Sequence, residues 1–261
     1  ARPLCFHLEG PFLSKQEPGA MNPMFFEDAS PGKISLLLKA GKVSMITIAP
    51  EVANNLQAIE FLVSEGVSVS LGHTATDFET SIQAMAKGAT SITHFFNAMR
   101  PFHHREPGLI GAGMVYPFYL QFIADGVHTH KATIKIVSKL FKERLVLITD
   151  SIMAAGLEKL GKYKLGNFDI FVNETSARLE NGTLAGSILT MDRGVRNLIE
   201  FGELTLSEAF RCASTNAAKS INLMDRGSIK PGNFADFVIL DKNSLQVVTT
   251  IREGRVVYTK K

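Results

Sequence analysis

The chain has 261 residues, 45% of them hydrophobic, and a formal net charge of +3, enough apolar material for one large α/β domain, or for such a domain with a small appendage. Its Lys and Arg residues are interspersed with acidic ones, so no basic stripe marks a nucleic-acid surface, and the longest apolar runs, Ile34 to Leu38 and Val43 to Ile48, are too short to cross a bilayer. The two cysteines, Cys5 and Cys212, are far apart and form no CxxC pair, which argues against a disulfide framework or a thiolate metal site and for a reducing, cytoplasmic setting.

In chain order, short apolar or β-branched runs alternate with longer segments of helical period, the pattern of a parallel sheet wrapped by helices. Strands are expected at Leu4 to Leu8, Val43 to Ala49, Val67 to Leu71, Thr90 to Thr93, Tyr119 to Ala124 and Leu145 to Thr149. Helices are expected at Asn54 to Ser64, at Asp77 to Ala86 with Asp77 as N-cap, and at Leu206 to Ser220 behind a capping Thr or Ser. Gly66 and Gly88 stand where a left-handed C-cap would close a helix before the next strand. Lys159 to Glu180 reads as a hairpin insertion turning at Gly166-Asn167, with strands Lys162 to Leu165 and Asp169 to Val172. From Asp225 onward the chain is β in character, with runs at Phe237 to Leu240, Val247 to Ile251 and Val256 to Tyr258. The division that follows is residues 1–224 as a barrel domain with the 159–180 insertion, and 225–261 as the C-terminal part of a small β-sandwich.

Five of the six strands finish at a residue able to do chemistry: Glu9, His73, His94, His128 and Asp150. In a (β/α)8 TIM-type barrel, the C-terminal strand ends converge on one face, where active sites are built. A closed barrel needs eight strands. The opening Ala-Arg-Pro-Leu-Cys-Phe-His-Leu-Glu-Gly has no initiator Met and runs straight into strand-like sequence. The expectation is therefore that a segment carrying the N-terminal strands precedes this sequence.

Glu9, His73 and His94 offer one carboxylate and two imidazoles, a ligand set for one Zn²⁺, or for another divalent first-row ion such as Fe, Mn or Co, with a position left for water. Against this stands the commoner role of a single buried histidine as a hydrogen-bonded core residue. Asp150 ends the apolar strand Leu-Val-Leu-Ile-Thr-Asp, where a general base or a helix N-cap would sit; the following Ser-Ile-Met-Ala-Ala-Gly is a poor helix start. His128 could polarise a substrate carbonyl or simply bond to Asp125 and hold a turn. Arg105, in the polar loop after His94, could clamp a phosphate or be a solvated surface residue, with His103 and His104 as plain loop neighbours. The stretch Gly182-Thr-Leu-Ala-Gly-Ser187 could offer backbone N–H groups to a ligand or be only a tight turn.

Taken together, His7-Leu-Glu-Gly-Pro-Phe12, Leu71-Gly-His-Thr74, Thr93-His-Phe-Phe-Asn-Ala-Met99, Arg105-Glu-Pro-Gly108, Ala124-Asp-Gly-Val-His128, Ile148-Thr-Asp150 and Gly182-Thr-Leu-Ala-Gly-Ser187 resemble, in order, the N-acetylglucosamine-6-phosphate deacetylases of the amidohydrolase superfamily. The tail Gly227-Ser-Ile-Lys-Pro-Gly-Asn-Phe-Ala-Asp236 resembles the superfamily's return to its sandwich. The resemblance implies hydrolysis of N-acetyl-D-glucosamine 6-phosphate to glucosamine 6-phosphate and acetate. It implies the metal on Glu9, His73 and His94, Asp150 as catalytic acid/base, and His128 near the scissile amide. It further implies Asn97 and Ala98 at the phosphate end, with Ala20, Ala185, Gly186 and Ser187 along the sugar. Arg105 resembles a phosphate-binding arginine reaching across a homodimer interface. Met21 stands where relatives often have histidine. Two other readings remain at this stage: a related metal-dependent amidohydrolase acting on another N-acyl amino sugar or a cyclic amide, and an inactive phosphosugar-binding homologue.

Overall fold

The computed structural model describes residues 3–157 and 160–260. Lys159, where the insertion was expected to begin, lies outside them, as do the chain-terminal residues Ala1, Arg2 and Lys261. Six parallel strands, β1 (Phe6–Glu9), β2 (Val43–Ile48), β3 (Ser68–Leu71), β4 (Ala89–Ile92), β5 (Tyr119–Ile123) and β6 (Leu145–Ile148), form one sheet in sequence order. Helices α1 (Pro31–Ala40), α2 (Asn55–Ser64), α3 (Phe78–Ala86), α4 (Gly108–Val115) and α5 (Lys131–Phe141) occupy the successive crossovers, the winding of a (β/α) barrel.

Local chemistry explains the element ends. Asp77 caps α3 by accepting from the N–H of Thr80 at 2.7 Å, and Ser30 accepts from the N–H of Lys33 ahead of α1, whose first residue is Pro31. Gly66 and Gly88, at φ 78° and 104°, make the left-handed exits from α2 and α3. The run Ile34 to Leu38 lies inside α1.

Side chains alternate across the sheet, and the two faces differ in kind. Ile46, Ile48, Val69, Leu71, Ile92, Leu120, Phe122, Leu145 and Leu147 join Ile59, Leu62, Ile134, Val137 and Leu198 of the helices in one continuous core. The other face carries small polar groups. Register sets Thr47 beside Ser70 and Ser70 beside Ser91. The Thr93 hydroxyl lies 2.8 Å from that of Thr47 and 2.6 Å from that of Ser70, and His7 Nε2 is 2.8 Å from Thr47 Oγ1. The buried hydroxyls of Thr47, Ser70 and Thr93 thus satisfy one another beneath the strand ends, while Ser91 Oγ has no partner among the described residues.

Two expectations need correction. Leu206 to Ser220 is two helices, α7 (Leu206–Ala213) and α8 (Thr215–Ser220), following α6 (Met191–Glu200). Ser214 at φ −132° breaks the run, its hydroxyl donating to the carbonyl of Phe210 at 2.6 Å; a serine bonded four residues back competes with the helix ladder. Below the break, Asn216 donates to the carbonyls of Lys142 and Leu145, fastening α8 to the base of β6. The expected hairpin is a three-stranded antiparallel sheet, β7 (Gly161–Leu165), β8 (Phe168–Val172) and β9 (Ala177–Leu179). The return into β9 is closed by Asn173, whose Oδ1 accepts the N–H groups of Thr175 and Ser176.

The tail forms an antiparallel sheet of β10 (Phe237–Leu240), β11 (Val247–Arg252) and β12 (Arg255–Thr259). Among the described residues no helix is long and apolar enough to cross a membrane.

Candidate metal centre

The strand ends bring Glu9, His73 and His94 together. Glu9 Oε1 lies 3.1 Å from His73 Nε2 and 2.8 Å from His94 Nε2, and the two Nε2 atoms are 3.0 Å apart. Both histidines are 4% exposed. His73 Nδ1 donates to the backbone carbonyl of Glu17 at 2.9 Å. A carbonyl can only accept, so in the neutral ring Nε2 carries the lone pair. A lone pair facing a carboxylate oxygen at this distance calls for a cation between them. Ligands around a tetrahedral Zn²⁺ at ~2.0–2.1 Å stand about 3.3 Å apart, within a few tenths of an ångström of these separations. The residues therefore fit a divalent ion.

The three groups are also coupled electrostatically. Burial alone would raise Glu9, yet the two imidazoles outweigh it and hold the carboxyl far below the ordinary range. Burial would lower His94, and the Glu9 carboxylate reverses this and raises it. His94 Nδ1 is buried without a hydrogen-bond partner among the described residues, so packing and the convergence at Nε2 hold that ring.

The backbone is forced at these positions. His73, His94 and Asp150 have φ of 48°, 29° and 50°, and Phe96 and Ala98 of the following turn have 80° and 46°. Non-glycine residues there cost of order 1–3 kcal/mol each and persist only where the surroundings over-determine them. Three arrangements do so. The His94 carbonyl accepts from the N–H and side-chain amide of Asn97. The Asp150 carbonyl accepts from the N–H of Ser187 at 2.7 Å, while the Ser187 hydroxyl donates to the carbonyl of Thr149. The turn after His73 is held by Glu51, whose Oε2 accepts from the Thr74 hydroxyl at 2.5 Å and whose Oε1 accepts from the N–H of Ala75 at 2.7 Å.

Above the cluster opens a cleft of about 1170 Å³, whose wall includes Glu9, His73, His94, Asp150 and His128. Asp150 does not cap a helix; residues 151–156 form a bridge and turns. Burial, reinforced by the charge of Glu9, raises its carboxyl above the ordinary value, with His94 and His128 opposing. His128 makes the expected bond to Asp125, its Nδ1 donating to Oδ2 at 2.6 Å, and the ring also lines the cleft.

Ala20, Met21, Asn97, Ala98 and Gly186 also line the cleft. The remaining expected contacts sit elsewhere. Ala185 is fully buried and Ser187 is 2% exposed, so of these three residues Gly186 reaches the cleft wall, beside Thr183 and Leu184, and Ser187 stands behind Asp150 as its backbone support. Arg105 is exposed, its Nη1 donating to His104 Nε2 at 2.9 Å, and it is not part of the cleft wall. Sequence reasoning missed the cover that the β7–β9 sheet provides, with Leu165, Phe168 and Arg178 on the wall. It also missed Glu51, whose Ala-Pro-Glu setting carries no metal-ligand or catalytic spacing.

Comparison with known proteins agrees with the fold. The model of the amidohydrolase family matches residues 8–257. An N-acetylglucosamine-6-phosphate deacetylase of Lysinibacillus sphaericus is 39% identical over 98% of this chain and 67% of its own length. An N-acetylgalactosamine-6-phosphate deacetylase of Escherichia coli O157:H7 is 37% identical over 92% of this chain and 65% of its own. An aspartate-to-alanine variant of the Mycobacterium smegmatis N-acetyl-D-glucosamine-6-phosphate deacetylase, solved in complex with N-acetyl-D-glucosamine-6-phosphate, superimposes with a TM-score of 0.93 at 39% identity, over 98% of this chain and 68% of that one. The chain spans about two thirds of the length of the curated relatives it matches. Matching that family's model over nearly all its residues, this chain belongs to the amidohydrolase family.

Proposed function

We propose that the chain carries the hydrolytic site for removing the acetyl group from N-acetyl-D-glucosamine 6-phosphate, releasing glucosamine 6-phosphate and acetate. The observation that carries this reading is the joint presence of the Glu9–His73–His94 cluster, Asp150 and His128 on one cleft wall. Glu9, His73 and His94 would hold a divalent ion, which would supply Lewis acidity for activating water; Zn²⁺ suits the donor set, as do Fe, Mn or Co.

The protein's own groups do the rest. Asp150, its carboxyl raised above the ordinary value by burial and by Glu9, accepts the proton of the attacking water. It then returns that proton to the departing amine nitrogen, so one carboxylate serves both halves, a role worth about 10²–10⁴ in rate. Asp125 fixes the His128 ring through Nδ1, and with both ring nitrogens protonated Nε2–H is the donor that reaches the scissile carbonyl oxygen. Asn97 and Ala98 receive the phosphate end, and Ala20 and Gly186 line the sugar. Arg105, exposed and outside its own cleft wall, serves the phosphate of a partner protomer in a homodimer. The barrel is residues 1–224 with its 159–180 insertion, and residues 225–261 belong to a small β-sandwich. The free thiols of Cys5 and Cys212 suit a cytoplasmic enzyme.

A second substrate has specific support, because the Escherichia coli relative acts by name on the galactosamine counterpart. The test is acetate release by the purified chain with Zn²⁺, from N-acetylglucosamine 6-phosphate, N-acetylgalactosamine 6-phosphate and unphosphorylated N-acetylglucosamine. The proposal expects release from the first, dependent on metal and on the phosphate. Preference for the galactosamine compound would move the specificity to that sugar, and preference for the unphosphorylated one would contradict the phosphate contacts.

A further inference from the structure

The turn that carries His73 is tied to the rest of the site through a residue with no assigned role. His73 sits in the left-handed region at φ 48°, a conformation that needs holding by its surroundings. Immediately beyond it, both oxygens of Glu51 are engaged: Oε2 accepts from the Thr74 hydroxyl at 2.5 Å and Oε1 from the N–H of Ala75 at 2.7 Å. The Thr74 hydroxyl in turn accepts from the N–H of Thr76 at 3.0 Å. The backbone of Thr74 also pairs with the next turn, its N–H donating to the carbonyl of Ala98 at 3.2 Å and its carbonyl accepting from the N–H of Arg100 at 3.3 Å.

Glu51 is itself held firmly. It lies two residues beyond Ala49, whose N–H donates to the carbonyl of Phe12 at 3.0 Å, while Asn55 Nδ2 donates to the carbonyls of both Phe12 and Ala49. Phe12 lies three residues beyond Glu9. Hydrogen bonds and the short chain segment Ala49–Glu51 therefore connect the segment after Glu9, through the end of β2, to the His73 turn and on to the Ala98 turn.

We propose that Glu51 is a positioning residue that fixes the His73 turn for metal binding and, through Thr74, sets the Asn97–Ala98 turn for substrate. This deepens the metal-centre reading above and rests on it. Outer partners that orient a metal ligand typically contribute 10–100-fold in metal affinity. Gln at this position keeps an oxygen for the Ala75 N–H and has an amide for the Thr74 oxygen; Ala keeps neither.

The test measures Co²⁺ affinity of the full chain by chelator competition, with the Co²⁺ visible spectrum as a report of ligand geometry. KM and kcat are measured on N-acetylglucosamine 6-phosphate alongside. Glu51→Ala is expected to weaken Co²⁺ about 10-fold or more, alter the spectrum and raise KM. Glu51→Gln is expected to stay within about threefold of the wild type on the same scale. Ile59→Val, a core change in α2, lowers the melting temperature without shifting affinity or spectrum, which separates positioning from general loosening. Should Glu51→Ala fail to fold, Thr74→Val removes the hydroxyl arm alone and carries the same expected direction. Wild-type Co²⁺ affinity and spectrum in Glu51→Ala would overturn the proposal, as would equal losses in Glu51→Ala and Glu51→Gln. A wild-type chain that binds no Co²⁺ would overturn the metal reading itself, a result distinct from either.

Discussion

His73 and His94 aim the same atom at one point: their Nε2 atoms lie 3.0 Å apart with rings crossed at 80°, and both meet Glu9 Oε1. If a metal ion is what reconciles these acceptors, it binds the folded chain and not the unfolded one, and therefore stabilises it. At 100 times its dissociation constant the gain is about 2.7 kcal/mol, or roughly 5–11 °C in Tm for a chain of this size. Calorimetry before and after chelation measures this. His94→Ala is expected to abolish the shift, whereas an undiminished shift in that variant would place the ion elsewhere.

Gly186 approaches Asp150 too closely for a side chain. It has φ 64°, and an added Cβ would stand 2.7 Å from Ile152 Cγ2 and 2.9 Å from the Asp150 carbonyl oxygen. Gly186→Ala is expected to cost about 1–3 kcal/mol through backbone strain and to lower kcat by displacing Asp150. Urea unfolding with steady-state kinetics checks both; unchanged values would show that the turn relaxes freely.

Asp125 gives the acid branch of stability a defined contributor. Burial would raise its carboxyl, but His128 Nδ1 at 2.6 Å and the N–H groups of Val127 and His128 hold it below the ordinary value. A carboxylate with a depressed folded pKa contributes stability that is present above its unfolded pKa of about 3.9 and is lost as pH falls through the lower, folded value. Asp125→Asn should therefore be destabilised by about 1–3 kcal/mol at pH 7, with the difference from wild type shrinking as the pH drops below about 4. Denaturant melts between pH 3 and 7, windows chosen around that value, test it. A difference that stays constant with pH would remove Asp125 from this role.

Arg105 lies exposed beside His104 and away from its own cleft wall. In a homodimer where it serves the partner's phosphate, Arg105→Ala raises KM for the phosphorylated sugar by about 10-fold or more, on the scale of a charge-assisted contact of ~1.5–3 kcal/mol, and leaves the unphosphorylated sugar unaffected. Equal effects on both sugars would assign Arg105 a structural part.

The parallel sheet and the metal cluster were legible in the sequence because they rest on short-range signals: apolar runs bounded by glycine, and strand ends finishing at Glu9, His73, His94 and Asp150. The Thr47–Ser70–Thr93 hydroxyl contacts were not, since serines and threonines within strands acquire meaning only from register between strands. Ala177–Leu179 was too short to read as a strand, and the break at Ser214 depends on one hydroxyl turning back onto Phe210. The support roles of Ser187 and Glu51 escaped for a related reason. Ser187 acts on backbone groups 37 and 38 residues away in the chain, and Glu51 on a hydroxyl and an N–H 23 and 24 residues away, through turns whose left-handed geometry no residue type announces.

The central claim is that Asp150 moves the proton while Glu9, His73 and His94 hold the ion. The measurement that tests it most directly is metal content and acetate release from N-acetylglucosamine 6-phosphate, taken side by side for the wild type and Asp150→Asn. Bound metal equal to wild type with turnover reduced by about 10²-fold or more is the expected result. Turnover near the wild-type rate in Asp150→Asn, with its metal in place, would contradict the account.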